Sequence, residues 1–295
     1  FDIKMLNEYA HFKNVKLIMD HETSASATNY ERWLDPAFKL MKEHGYDAVN
    51  TGYVGNIIPR GEHHYSQWMI NHYQRVVDKA AEYKIMVNSH ESVRPSGLSR
   101  TYPNWIAAEA ARGTEFEAMG GNNPDHTTIL PFTRFMGGPM DYTPGIFQTQ
   151  YNYYDANSKN FANTTLAKQL GLYVVMYSPL QMACDLPENY ERHLDAFQFI
   201  KDVAVDWDDT KILSAEPGDY IHTARKAKGS ENWFVGGVTD ENARDFTVDF
   251  SFLEKGKKYE ATIYEDGENA DYEKNPQAYH IYKKVVTNGS KIKVH

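Results

Sequence analysis

The chain has 295 residues, a formal net charge of −9 and a single cysteine, Cys184. Binding nucleic-acid phosphates requires a basic face, so this acidic balance and the lack of a long Lys/Arg run argue against a nucleic-acid partner. One cysteine excludes an intrachain disulfide, and its apolar surroundings favour a buried position. No stretch approaches the ~20 apolar residues of a membrane span.

The chain opens with Phe1, which enters a helical pattern without an initiator Met, a signal peptide or a helix cap. We therefore expect the N-terminus to be a cut within a longer protein. On that expectation, the missing targeting segment carries no information about compartment.

Up to about residue 205, the spacing of apolar residues alternates between strand-like and helix-like segments. Repeated β/α units predict a parallel sheet or barrel. The alanine-rich stretch between Pro103 and Gly113 predicts a helix, because Pro favours the first turn and Gly the end. The predicted strands are 17–20, 47–51 and 85–87, with a possible strand across 173–180, and the other predicted helices are 33–45, 64–83, 166–176 and 190–203.

Beyond about Ala215, short segments alternate apolar and polar residues and are separated by Gly, Asp and Asn turns. This pattern predicts an antiparallel β domain. We place the boundary near residue 212, which gives an α/β domain at 1–212 and an all-β domain at 213–295.

Acidic side chains follow the predicted strands of the first half: Glu22 after the first, Glu91 after the third, and Glu115 with Glu117 after Gly113. A strand that delivers a carboxylate at its carboxyl end is how a β/α barrel builds an active site. Glycoside hydrolysis needs two such carboxyl groups. Capping of the next helix or pairing with Arg is the structural alternative for each acid.

Several other side chains have two interpretations each. Glu109 either pairs with Arg112 on a solvated helix face or turns inward with Glu91 and Glu115 to bind a hard cation such as calcium. His21 and His90 precede acids and could bind sugar hydroxyls or support the structure. The group Glu62–His64 fits helix capping better than a zinc site.

Four segments carry a family resemblance: HETSASATNYERWLD (21–35), YDAVNTGYVG (46–55), VNSHESVRPSGLSRTYPNWIAAEAARGTEFEAM (87–119) and LPFTRFMGGPMDYTPG (130–145). They resemble glycoside hydrolase family 97, from near residue 15 to the final β domain. The resemblance implies a catalytic (β/α)8 TIM-type barrel between a large N-terminal β-sandwich and a small antiparallel β-sandwich domain. The chain would hold the later part of the barrel and the last domain, and the full-length enzyme would add the N-terminal sandwich and the early barrel strands.

The resemblance also implies roles for particular residues. Family members hydrolyse α-glycosides with a calcium ion, Ca²⁺, and are mostly periplasmic. Retaining members carry an Asp nucleophile where this chain has Gly52, whereas inverting, α-glucosidase-like members carry Glu after His at two strand ends. The resemblance assigns the general acid to Glu115, the catalytic bases to Glu22 and Glu91, sugar contacts to His21 and His90, and calcium ligands to Glu91, Glu109 and Glu115.

Together these patterns predict an inverting α-glucosidase-type hydrolase of small α-glucans or maltooligosaccharides. Asp20 stands where the family pattern leads us to expect His. The alternatives are a retaining α-galactosidase and a non-catalytic, truncated carbohydrate-binding fragment. A metal-dependent amidohydrolase barrel is disfavoured, because such barrels need several His ligands at strand ends.

Overall fold

The computed structural model describes residues 2–295, which form two compact units. The first unit extends to Ala111 and includes Gly137–Asp141, and the second comprises Arg112–Met136 and Tyr142–His295. No helix within residues 2–295 is both long and apolar enough to cross a membrane. The α-helices are α1 (Ile3–Phe12), α2 (Ala27–Glu43), α3 (Gln67–Glu82), α4 (Glu115–Ala118), α5 (His126–Ile129), α6 (Leu166–Val175), α7 (Pro187–Glu191) and α8 (Leu194–Asp202). The strands are β1 (Ile18–Glu22), β2 (Ala48–Gly52), β3 (Met86–Ser89), β4 (Trp105–Ala108), β5 (Trp207–Glu216), β6 (Tyr220–Ala227), β7 (Trp233–Thr239), β8 (Phe246–Asp249), β9 (Tyr259–Asp266), β10 (Tyr279–Val286) and β11 (Lys291–Val294).

The first unit is built on a four-stranded parallel sheet with the order β1-β2-β3-β4. Helix α2 connects β1 to β2, and helix α3 connects β2 to β3. The prediction of a parallel sheet made from β/α units is confirmed for this part of the chain. A closed barrel of eight strands stays a prediction.

Helices α2 and α3 each bury one apolar stripe, as amphipathic helices do. In α2, Tyr30, Leu34, Phe38 and Met41 recur at helical spacing and belong to one core cluster. Helix α3 begins at a Ser66 cap, whose hydroxyl accepts from the Met69 amide at 3.3 Å. Its buried stripe joins the same core, so the two connecting helices fix the strands between them.

Helix α1 is capped, contrary to the sequence-based expectation. The Asp2 carboxylate accepts a hydrogen bond from the Met5 amide at 2.9 Å, which satisfies one of the free amides of the first turn. Phe1, where the helical pattern was predicted to open, lies outside the described residues.

The helix predicted between Pro103 and Gly113 is wrong, because Trp105–Ala108 forms strand β4 beside β3. The Val87 amide bonds to the Asn104 carbonyl at 2.7 Å, and the Glu109 amide bonds to the Ser89 carbonyl at 2.8 Å. These ladder bonds and the burial of small side chains outweigh the modest helix preference of alanine. Glu109 therefore follows a strand.

Smaller differences concern the second unit. The predicted helix 190–203 is divided into α7 and α8, and α6 ends at Val175 without a strand across 173–180. Cys184, expected to be buried, is exposed. Residue 212, the predicted boundary, lies inside β5.

The second unit ends in antiparallel sheets, as predicted: β5-β6-β7, β9-β10 and β8-β11. Helix α6 lies close to β7 at three glycines. A Cβ on Gly171 would lie 2.8 Å from the Gly237 carbonyl oxygen, and a Cβ on Gly236 would lie 2.7 Å from the Gly171 carbonyl oxygen. Only glycine permits this backbone approach.

The buried His222 of β6 makes the second unit sensitive to acid. Its ring stacks on Phe246 with centroids 3.5 Å apart, and burial lowers its pKa from 6.5 to about 4. Between pH 6.5 and 4, His222 binds a proton in the unfolded chain but stays neutral in the folded unit. The free energy of unfolding therefore falls as the pH drops from about 6.5 to 4. The loss is on the order of 3 kcal/mol.

We expect His222→Gln to flatten the pH dependence of the free energy of unfolding between pH 4 and 7, even if the variant is less stable at pH 7. Denaturant titrations of both proteins at several pH values measure this. His280→Gln, at a histidine whose side chain is 63% exposed, is the matched control and should leave the dependence unchanged. An identical pH slope for wild type and His222→Gln would contradict the explanation.

Candidate active site

The carboxyl edge of the parallel sheet gathers three glutamates. Glu22 ends β1 and is the register partner of Gly52, which ends β2. Glu91 lies two residues beyond the end of β3, and Glu109 directly follows β4. Because the strands are parallel, their carboxyl ends share one edge, and the sequence-based placement of acids at this edge holds for Glu22 and Glu91.

Gly52 lies between two of these carboxylates. A Cβ built on Gly52 would overlap Oε2 of Glu22 and would lie 3.1 Å from Oε2 of Glu91. Both carboxylate groups therefore reach the space that a side chain at position 52 would fill. The absence of a side chain at this position is a geometric requirement of the arrangement.

Glu91 is held in an unusual backbone conformation, with φ of 47° in the left-handed region that favours glycine. Three hydrogen bonds hold it: Oε2 accepts from the Tyr53 amide at 2.7 Å, its own amide donates to Oε2 of Glu109 at 3.0 Å, and its carbonyl accepts from the Tyr73 hydroxyl at 2.8 Å. Burial and the nearby charge of Glu91 raise the pKa of Tyr73, so this hydroxyl stays a donor. Strain held in this way is frequent at functional sites.

His21 lies on the face of the sheet opposite Glu22, because successive strand residues point to opposite sides. Its Nδ1 lies 2.8 Å from the Tyr30 hydroxyl, and its ring stacks on Phe38 with centroids 6.2 Å apart; both partners belong to α2. Burial lowers its pKa, against the charge of Asp20. The position does not support the predicted sugar contact, and a packing role fits it better.

His90 lies beside the glutamates and has a partner that the sequence did not indicate. Its Nε2 is 2.8 Å from Oδ2 of Asp141, a carboxylate that also accepts from Asn88 at 2.7 Å. Burial lowers the pKa of His90, but the hydrogen bond and charge of Asp141, with the charges of Glu109 and Glu91, outweigh burial and raise this pKa to about 9.

His90, Glu91 and Glu109 each offer a ligand atom, and the three atoms lie within 4.8 Å of one another. The two carboxylates suit a hard cation, which prefers oxygen, whereas an imidazole nitrogen does not. Two predicted calcium ligands are therefore brought together. Calcium takes about 6–8 oxygens, so these two fit as part of a larger set.

Glu115, the third predicted ligand and predicted general acid, is the exposed first residue of α4 in the second unit. Its neighbour Glu117 is buried and accepts from the Tyr142 hydroxyl at 2.6 Å and from Nε2 of Gln169 at 3.0 Å. Burial raises the pKa of Glu117 to about 7, although these hydrogen bonds and the charge of Lys168 oppose the shift. Glu117 thus fixes the helix that carries Glu115.

The Glu62–His64 segment precedes α3 but does not cap it, because the cap is Ser66. Nε2 of His64 lies 2.8 Å from the Tyr53 carbonyl oxygen, and α3 begins three residues later at Gln67. Within residues 2–295 this segment is not part of a cluster with metal-ligand spacing.

Sequence reasoning missed Asp141, Tyr53 and Tyr73. Tyr73 is part of the apolar stripe of α3, and the Tyr53 contribution comes from its backbone, so neither side-chain type signals a role. Asp141 lies 50 residues beyond Glu91 in a segment without regular structure. Its position in a segment with family resemblance was the one available signal.

A parallel α/β sheet with glutamates gathered at its carboxyl edge is an arrangement that glycoside hydrolases use. The model of the family described as Glycoside hydrolase 97 matches residues 1–111. The model described as Glycosyl-hydrolase 97 C-terminal, oligomerisation, matches residues 206–295. The chain belongs to glycoside hydrolase family 97.

Three similar proteins illustrate the range of the family. A retaining alpha-galactosidase from Bacteroides thetaiotaomicron is 35% identical over 299 residues, which cover 100% of this chain and 43% of that protein. A family 97 enzyme from Pseudoalteromonas sp., in complex with acarbose, is 45% identical with a TM-score of 0.94, covering 100% of this chain and 47% of the other. A variant of that enzyme in complex with panose is 44% identical, with the same TM-score and coverage. The chain spans less than half the length of these relatives.

We expect Gly52→Ala to disturb the site without unfolding the sheet. The new methyl group would displace the carboxylates of Glu22 and Glu91, and misplacement by about 1 Å can reduce turnover on the order of 100-fold. Hydrolysis of a nitrophenyl α-glycoside by the full-length protein measures the effect, with thermal unfolding measured in parallel. Gly289→Ala, where a Cβ meets nothing within 4 Å, is the control. Wild-type turnover in Gly52→Ala would show that the two carboxylates need no fixed position.

Proposed function

We propose that the protein containing this chain is an inverting α-glucosidase-type glycoside hydrolase, which cleaves small α-glucans or maltooligosaccharides with the help of calcium. In this proposal β1–β4 are part of a (β/α)8 barrel. The rest of the barrel and an N-terminal β-sandwich belong to the full-length enzyme, which we place in the periplasm by family resemblance.

The observation that carries the proposal is the space above Gly52, which is bordered by Glu22 and Glu91. A retaining enzyme needs a nucleophilic carboxylate, and the family resemblance places it at position 52. Any side chain there would collide with Glu22 as it stands. Two carboxylates that converge on one place suit the activation of a water molecule, which is the task of the base in an inverting enzyme.

In the proposed reaction, Glu22 and Glu91 hold a water molecule and remove its proton as it attacks the anomeric carbon. The Tyr53 amide donates to Oε2 of Glu91, the oxygen that faces Gly52, and so holds this carboxylate in place. Glu115 donates a proton to the glycosidic oxygen that leaves. Inversion then requires the acid and the base to lie about 6.5–9.5 Å apart.

Glu91 and Glu109 would hold the calcium ion, together with Glu115. A bound divalent cation stabilises negative charge that develops in the reaction. The chain's own contribution is positional, because Glu109 binds the Glu91 amide through Oε2 and keeps both carboxylates at one place. We propose that His90 binds a substrate hydroxyl from the side of the site next to these ligands.

The substrate class is supported by the complexes of the Pseudoalteromonas enzyme with panose and acarbose. Panose consists of α-linked glucose units, and the 44% identity over the whole chain supports a shared substrate class. The retaining alpha-galactosidase that is 35% identical supports the alternative of an α-galactosidase. A truncated, non-catalytic carbohydrate-binding fragment is the third candidate.

The first product of the full-length enzyme tests both mechanism and substrate. We expect turnover of a nitrophenyl α-glucoside but little turnover of the matching α-galactoside, with β-glucose appearing first in proton NMR spectra. The matched control is a retaining α-glucosidase, which gives α-glucose first. An α-anomer as first product, or a preference for the galactoside, would replace our proposal by the retaining alternative. Binding of maltotriose without turnover would favour the non-catalytic carbohydrate-binding fragment.

Removal of calcium should abolish most of the activity. We expect EDTA to inactivate the enzyme, Ca²⁺ to restore it, and Glu109→Gln to raise the calcium concentration for half-activation by about 10-fold or more, because a carboxylate ligand is lost. Glu43→Gln, at an exposed acid near the end of α2, is the control. Full activity after exhaustive EDTA treatment would remove calcium from the proposal.

A further inference from the structure

Asp141 is a buried carboxylate next to the proposed active site, and neither the catalytic roles nor the metal ligands given above include it. Its side chain is 1% exposed. Its amide donates to the Ala108 carbonyl at 3.1 Å, which holds it beside the end of β4. The side chain accepts hydrogen bonds from Asn88 and His90, at 2.7 and 2.8 Å.

Asp141 also ends a row of polar side chains across the sheet. Asp20, Asn50 and Asn88 are register partners on β1, β2 and β3. Asn50 donates to Asp20 at 3.3 Å, and Asn88 donates to Asn50 at 3.1 Å as well as to Asp141. Asp20 and Glu22 are two residues apart on β1 and share a face of the sheet, so the row lies one layer below the catalytic carboxylates.

The hydrogen bond to Asp141 determines which nitrogen of His90 is available. An ionised carboxylate only accepts hydrogen bonds, so Nε2 of His90 carries the hydrogen that it donates to Asp141. The other nitrogen, Nδ1, has no hydrogen-bond partner among residues 2–295. Asn88 holds the same Asp141 oxygen from a second direction, so the carboxylate has little freedom to rotate.

We propose that Asp141 is a positioning residue, which fixes the plane of the His90 ring so that Nδ1 is presented to a sugar hydroxyl. This inference rests on the proposed function. A carboxylate that orients a functional imidazole through its remote nitrogen is a general device, and its loss typically costs about 10- to 100-fold in activity. A merely structural Asp141 would instead stabilise the sheet, without acting through His90.

A double-mutant cycle in the full-length enzyme separates these two roles. The variants are Asp141→Ala, His90→Ala and the double variant, with kcat and KM measured on a nitrophenyl α-glucoside. We expect Asp141→Ala to lower kcat/KM by about 10- to 100-fold when His90 is present, but by less than about 2-fold when His90 is already Ala. If Asp141→Ala lowered kcat/KM by the same factor whether or not His90 is present, the proposal would be overturned.

Two further variants distinguish an effect on His90 from an effect on folding. Asp141→Asn keeps the size of the side chain, and we expect it to retain the wild-type unfolding temperature within a few degrees while losing part of the activity. Asn50→Ala breaks the polar row on the side away from His90, and we expect less than about 2-fold loss in kcat/KM. An equal loss in Asn50→Ala and Asp141→Ala would assign the effect to the row as a whole and overturn the proposal.

The wild-type assay keeps this inference distinct from the proposed function. If the enzyme prefers an α-galactoside, the proposed function fails and the same cycle is measured on that substrate. If neither substrate is cleaved, the dissociation constant of maltotriose, measured by calorimetry, replaces kcat/KM in the cycle. Absence of any sugar binding would overturn both proposals.

Discussion

The carboxylates of Glu22 and Glu91 converge on the space left by the missing side chain of Gly52, and the other features of the site depend on that convergence. Two like charges so close together repel each other, which has to be offset by donors or by a cation. The Tyr53 amide offsets part of this repulsion by donating to Glu91. The Ser24 amide, 2.5 Å from Oε1 of Glu22, offsets another part in the same way. A cation bound at Glu91 and Glu109 would offset more of the repulsion between the carboxylates. A single glycine at the end of β2 thus permits the arrangement that the loops on both sides stabilise.

Sequence patterns were sufficient for the acids at the ends of β1 and β3, because a short apolar run followed by a polar cluster specifies both the strand and where it ends. They failed at β4, where alanine favours a helix locally but pairs with β3 in the folded unit. That error concealed the position of Glu109 at a strand end. The face of His21 could have been predicted, since it alternates with Asp20 and Glu22. Asp141 could not, because its contacts with Asn88 and His90 are long-range and its segment lacks periodicity.

Glu115 and Glu117 show how two similar acids in one short helix come to have different environments. Glu117 points into the second unit, where Tyr142 and Gln169 bind it and burial raises its pKa. Glu115 is exposed at the start of the same helix. The sequence predicts the pair but does not indicate which member is buried, because the decisive partners come from elsewhere in the chain. The buried acid anchors the turn, whereas its neighbour stays exposed to solvent.

The backbone at the ends of β3 and β4 explains why the glutamates turn toward one another. Glu91 has φ of 47°, and Ala110, directly after Glu109, has φ of 49°. Each left-handed residue bends the chain sharply just as it leaves the sheet, at a cost of about 1–3 kcal/mol that surrounding contacts must offset. The bond from the Glu91 amide to Glu109 links the two bends directly. The bond that stabilises the strained backbone therefore also holds the Glu109 carboxylate beside Glu91, so the shape of this edge and the convergence of the two acids depend on the same contact.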